Sequence, residues 1–232
     1  MVMKKVFTTL LIVFSSILMN QATAQIQHKW LGLGSLQNFY ANFGTEIENS
    51  FVSRQQFGLM WPGINEYQDA QVSKAMWIGI TNFTDEKESN YPYKVIHSGP
   101  LVRQASSFFP LEFKLISKTE PTSVLVDGNA SFRLEQTVDE VDPTIPGDRM
   151  IYAKFNTAIG ITVERKIHQF SQSFHDNYHI FEITLTNTGF INGENVQVLT
   201  APVTGLVFYE QNDWAPVLQT RYTIGNATGW GY

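Results

Sequence analysis

Three of the five histidines, His168, His175 and His179, stand close together in the chain with Asp176 among them. Imidazole nitrogens and a carboxylate are zinc donors, and zinc needs three or four of them converging at about 2 Å. All four lie within Gly160 to Gly189, GITVERKIHQFSQSFHDNYHIFEITLTNTG. If the chain reverses between Ser173 and Phe174, His168 and His179 face each other across two strands, and His175 and Asp176 in the loop complete the set. A polar, solvent-facing row on a half-buried hairpin explains the same residues without a metal, and this plainer reading is the stronger.

Carboxylates form a second group. The stretch 138–149, VDEVDPTIPGDR, carries Asp139, Glu140, Asp142 and Asp148, oxygen donors of the kind calcium takes. Their spacing is not that of a D-x-[DN]-x-[DN]-G loop. The alternatives are a calcium cage of another design and a solvated acidic loop, the latter favoured. Glu46 and Glu48 share one face of a strand, the only local pair resembling the two carboxylates, about 5 to 9 Å apart, of glycoside hydrolysis. Two acids at i and i+2 recur by chance. There is no cysteine, no G-x-S-x-G elbow and no H-E-x-x-H helix, which disfavours a simple hydrolase.

Aromatic residues are the third group: Trp30, Trp61, Trp77, Trp214 and Trp230, with 9 Tyr and 17 Phe. Exposed rings bind sugars by stacking on their apolar faces. Trp61 beside Pro62 and Trp214 beside Asp213 fall near loops and are the candidate ligand contacts. Trp77 sits in an apolar strand and is expected in the core.

The elements that position these groups read as strands. Phe181, Ile183 and Leu185 alternate with Glu182, Thr184 and Thr186, a period of two that makes one face apolar. Ile161, Val163 and Ile167 form a matching stripe, so 160–189 is an antiparallel hairpin. Ala75 to Ile80 and Tyr93 to His97 flank a charged turn, Asp85 to Asn90, as a second hairpin, with Pro92 able to start the return strand. Leu111 to Lys118 and Ser123 to Val126 look like a third pair, followed by a turn at Asp127-Gly128-Asn129. Met150 to Asn156, Val196 to Leu199 and Gly205 to Tyr209 add strands, and 138–149 reads as a long surface loop. Short strands are expected over 25–62, with a helix over 35–41 as competitor. Gly32-Leu33-Gly34 lacks the third glycine of a nucleotide fingerprint and is assigned to strand curvature or close backbone packing. The expected fold is all-β, an antiparallel β-sandwich of roughly nine to eleven strands.

Residues 1–24 carry Lys4 and Lys5, an apolar run from Val6 to Met19, then Ala22-Thr23-Ala24, the pattern of a secretory signal cleaved before Gln25. The run is short of the roughly 20 residues of a membrane span, and no later stretch approaches that length. Residues 25–232 form the β-sandwich-like region. Cleavage removes two lysines and no acids, taking the net charge from −5 to −7. An acidic chain without clustered Lys and Arg is not built for nucleic acid. With no cysteine, stability in an oxidising exterior must come from burial, for which 43% hydrophobic composition is ample.

From Asp142 the chain reads D-P-x-x-P-x-D-R-M, then N-T-x-x-G-I-T, F-S-Q-x-x-H-D-N-Y-H-I and T-N-T-G. This resembles the N-terminal region of large secreted β-rich proteins of Bacteroidetes and Ignavibacteria-like bacteria, many with a C-terminal type IX secretion sorting domain. Trp77-Ile78-Gly79 with Phe83-Thr84-Asp85, and Gly229-Trp230-Gly231-Tyr232, are similar to the same group. The resemblance implies export or a cell-surface location and carries over no catalytic residue. Members run longer, and 221–232 ends on an unfinished strand-like pattern, so truncation at the C-terminal end is expected. The expected role is a non-catalytic module for adhesion, matrix or glycan contact. The alternative is an N-terminal accessory part of an extracellular degradative enzyme.

Overall fold

A computed structural model describes residues 27–44, 46–47, 59–64, 70–98, 107–121, 125–127, 129–130 and 138–214. The expected signal, Glu48, and residues 221–232 with Trp230 lie outside them. The described residues hold thirteen strands and no helix: β1 (His28–Leu31), β2 (Asn38–Ala41), β3 (Glu46–Ile47), β4 (Gln71–Thr84), β5 (Asn90–His97), β6 (Phe108–Ser117), β7 (Leu125–Val126), β8 (Asn129–Ala130), β9 (Glu140–Val141), β10 (Arg149–Thr157), β11 (Ile161–Gln169), β12 (Ile180–Asn187) and β13 (Thr204–Trp214). Four of these are two-residue strands, which is where the count exceeds the expected nine to eleven.

The fold is all-β and mostly antiparallel. One sheet runs β12-β11-β10-β6-β9; the other runs β13-β4-β3, with β5 also pairing β4. Alternation decides which faces meet. Ile151, Ala153 and Phe155 of β10 lie opposite Ile167, Arg165 and Val163 of β11 on the inner face. The outer face carries Lys154 and Glu164, paired at 2.8 Å. Gly160 closes the β10–β11 turn at φ 78°, a left-handed conformation that glycine adopts without steric cost. The core between the sheets unites Met76, Ile78 and Ile80 of β4 and Ile96 of β5 with Phe108, Phe155, Ile161 and Val163. The β1–β2 hairpin covers the rest of that inner face through Leu31 and Tyr40, packed on Leu115, Ile151 and Ile167. The architecture is a β-sandwich.

The expected hairpins over 160–189 and 75–97 are present, as β11–β12 and β4–β5. Pro92 sits inside β5, on a strand whose other edge is open among the described residues, where a missing N–H is tolerated. The expected pairing of Leu111–Lys118 with Ser123–Val126 is not found among the described residues, outside which Ser123 and Val124 lie: β6 pairs β10 and, in parallel, β9. Leu125 and Val126 instead turn through Asp127 onto β8. Val196 to Leu199 is no strand and makes one isolated bridge, Phe190 to Gln197. Residues 38–41 form a strand, not the competing helix. Strand curvature does not explain Gly32 and Gly34, because β1 ends at Leu31; close packing explains Gly34, where an added Cβ would lie 2.8 Å from Asp176 Cβ. The 138–149 stretch is not wholly a surface loop. It begins as β9 and then folds Ile145 over the outer face of the five-stranded sheet, against Ile116 and Met150.

Candidate functional site

In β4 the inward positions Met76, Ile78 and Ile80 alternate with Trp77, Gly79 and Thr81, which face out. The adjoining strands extend each outward position into a row. Trp77 lies opposite Tyr209 of β13 and His97 of β5, Gly79 opposite Val207 and Val95, and Thr81 opposite Thr204 and Tyr93. With no side chain at Gly79, the middle row is low. Its flanking rows make it a trough across the three strands. Trp77 and His97 stack at 4.4 Å with their planes 18° apart, forming one wall. Tyr93 stands on the other, 75% exposed, and Tyr209 is 55% exposed. The walls are about 14 Å apart along the strands, and the rows span about 10 Å across them.

The polar edge of the trough is made by hydroxyls. Thr81 Oγ1 and Thr204 Oγ1 are 3.0 Å apart, and Asn82 Nδ2 reaches Thr204 Oγ1 at 3.4 Å. None of these row residues is an acid, a lysine or an arginine. The charged neighbours point elsewhere: Glu210 pairs with Lys74 at 3.3 Å, and Lys94 Nζ lies 5.2 Å from the Tyr91 ring centre. A face so composed can stack and hydrogen-bond a ligand, and its row residues include no carboxylate.

The histidine set comes apart through a register difference of one residue. The hairpin pairs His168 with Ile180, not with His179. A one-residue offset moves a side chain to the other face, so His168 and His179 lie on opposite sides of the sheet. His168 is buried on the outer face beside Met150, its Nε2 3.4 Å from Glu182 Oε1, and burial lowers its pKa. His179 turns inward, where its Nδ1 and Tyr40 Oη share a hydrogen bond at 2.7 Å. Its Nε2 lies 3.2 Å from both Leu36 O and Gln169 Nε2. Burial, with Lys74 nearby, lowers its pKa to about 4 despite the Leu36 carbonyl. His175 in the loop is bonded to Tyr178 Oη, and Asp176 Oδ2 accepts from Ser35 Oγ at 2.6 Å. No three His, Cys, Asp or Glu side chains converge as a metal cage among the described residues.

Each acid of the 138–148 stretch is held by its own protein donors. Asp139 accepts from Leu115 N at 2.6 Å and pairs with Lys29 at 2.7 Å. Burial raises its pKa, and these two partners outweigh that and lower it. Glu140 pairs with Lys114, Asp142 takes the Thr144 N–H and hydroxyl, and Asp148 takes those of Ser171. Glu46 is in β3, its side chain outside the described atoms, as is all of Glu48.

Trp61 is 56% exposed and donates from Nε1 to Asn177 Oδ1 at 2.9 Å. It therefore joins His175, Asp176 and His179 at one end of the sandwich. Trp214, 55% exposed, ends β13 opposite Gln71, outside the trough rows. Trp77 is not in the core as expected: it faces outward, half-buried under His97. Its trough partners Tyr93, Val95, His97, Val207 and Tyr209 were not legible as a site. Their signal is a strand apolar on both faces, Ala75 to Ile80, in an antiparallel sheet that normally alternates with polar residues.

Compared with known proteins, the chain matches no family model, no curated protein and no solved structure.

Proposed function

We propose that this chain is a non-catalytic β-sandwich module of an exported or cell-surface protein and that it contacts a glycan through the trough over Gly79. The observation that carries this reading is the outward array of Tyr209, Trp77, His97 and Tyr93 around a side-chain-free floor. Sugar rings present one face of C–H groups that packs on aromatic carbon, while their hydroxyls exchange hydrogen bonds with groups such as Thr81 and Thr204. Adhesion or matrix contact follows from such a site. An accessory role in a longer degradative enzyme would use the same trough to hold the enzyme on its polymer.

The test is a glycan array probed with the purified chain, followed by tryptophan fluorescence titration of each hit. Tyr93→Ala and Tyr209→Ala remove exposed rings and leave the core untouched, so both variants keep the wild-type fold by circular dichroism. Saturable binding that both substitutions weaken supports the reading. A blank array from folded protein, or binding indifferent to both, refutes it.

A further inference from the structure

We infer that the trough takes the interior of an extended, uncharged polysaccharide laid across the strands, a deepening that rests on the glycan reading above. The open ends carry the first half of the argument. The trough runs from Val207 through Gly79 to Val95, so it begins on β13 and finishes on β5. Among the described residues, β13 and β5 each pair with β4 alone, which leaves both ends of the trough at open sheet edges. A site for a chain terminus needs a wall of donors and acceptors that stops the polymer. Here Val207 and Val95, both exposed, stand at the two exits and let it continue.

Charge carries the second half. The rows present indole, imidazole, phenol, hydroxyl and aliphatic groups, with no lysine or arginine to meet a uronate or sulfate. An anionic sugar seated there would be desolvated without a counterion, which is strongly unfavourable. The net charge of −5 adds repulsion at longer range. A neutral chain meets neither penalty, and its successive rings pass between the Trp77–His97 stack and Tyr93.

The experiment is isothermal titration of the full chain with neutral and uronate-rich polysaccharides, and with an oligomer ladder cut from the polymer that binds. Affinity is expected to rise about tenfold or more from the disaccharide to the longer oligomers, to be unchanged when the chain ends are reduced or capped, and to vanish for uronate polymers. Val95→Glu, an exposed substitution at one exit, is expected to abolish binding while circular dichroism stays that of the wild type. Equal affinity for a monosaccharide and the polymer, dependence on a free chain end, or preference for the uronate polymer overturns this inference and leaves the glycan reading standing. Glycan binding unaffected by Val95→Glu removes the trough as its site. Absence of binding to every polymer overturns both.

Discussion

Lowering the pH from about 7.5 to about 5 is expected to weaken the fold by about 2 kcal/mol through His179 alone. The ring lies under Tyr40, with Nδ1 bonded to Tyr40 Oη and Nε2 facing Leu36 O and Gln169 Nε2. Burial and the Lys74 charge hold its pKa at about 4, against 6.5 for a free imidazole. The unfolded chain therefore takes up this proton first as pH falls, and stability is lost between about 6.5 and about 4. Full protonation removes about 3 kcal/mol, and by about pH 5 most of the loss has occurred, before ordinary carboxylates titrate. His168, also lowered by burial, acts in the same direction. The assay is urea unfolding at stepped pH for the wild type and for His179→Gln, which keeps a polar side chain and cannot titrate. The difference between the two profiles isolates His179. Parallel profiles across this window would refute the reasoning, because a group whose protonation is coupled to folding must change the slope.

Three further outcomes follow. Gly79→Val places a Cβ 3.5 Å from Val95 Cγ2 and 4.0 Å from Lys94 O, ordinary contacts, so stability is expected unchanged or up by as much as about 1 kcal/mol. The same variant fills the trough floor and is expected to lower glycan affinity about tenfold or more by titration calorimetry. Arg165→Ala removes a fully buried side chain that donates to Ala41 O at 3.0 Å, and the cavity it leaves is expected to cost about 2 to 4 kcal/mol in urea unfolding. Ile145→Ala strips the loop of its anchor on Ile116 and Met150, costing about 2 to 4 kcal/mol, with faster proteolysis within 142–148 as the local readout.

What the sequence made legible follows from what each signal depends on. Period-two alternation is local, so the β11–β12 and β4–β5 hairpins could be read directly. Pairing between distant strands is not local: nothing in Leu111 to Lys118 says that it will lie between β10 and β9 instead of beside its neighbour in sequence. The histidine set failed at the finest level. Ser171 to Asn177 fixes where the chain reverses only to within a residue, and one residue decides whether His168 and His179 share a face. The aromatic site was hidden for the opposite reason. Trp77 lies in an unbroken apolar run, and such a run reads as buried until the partner strands show that, among the described residues, one of its faces has no sheet packed on it.

The distribution of polar and apolar groups supports a working outer face. An antiparallel sandwich acting only as a scaffold buries apolar side chains and exposes polar ones. Here Arg165 and Lys74 are buried between the sheets, Lys74 with its Nζ 3.7 Å from the centre of the Phe181 ring, while Tyr93, Val95, Val207 and Tyr209 face outward. The inner exceptions have a structural account. Arg165 ties β11 to β2 through Ala41 O, and Lys74 ties β4 to β13 through Glu210, so they fix how hairpin and sheets meet. The outer exceptions have none, because no described contact of the core uses those rings and a glycine at the centre of β4 weakens the strand. Departures from local rules without a structural compensation are where function is expected. The trough meets that condition on both counts, its walls by being apolar and its floor by being bare.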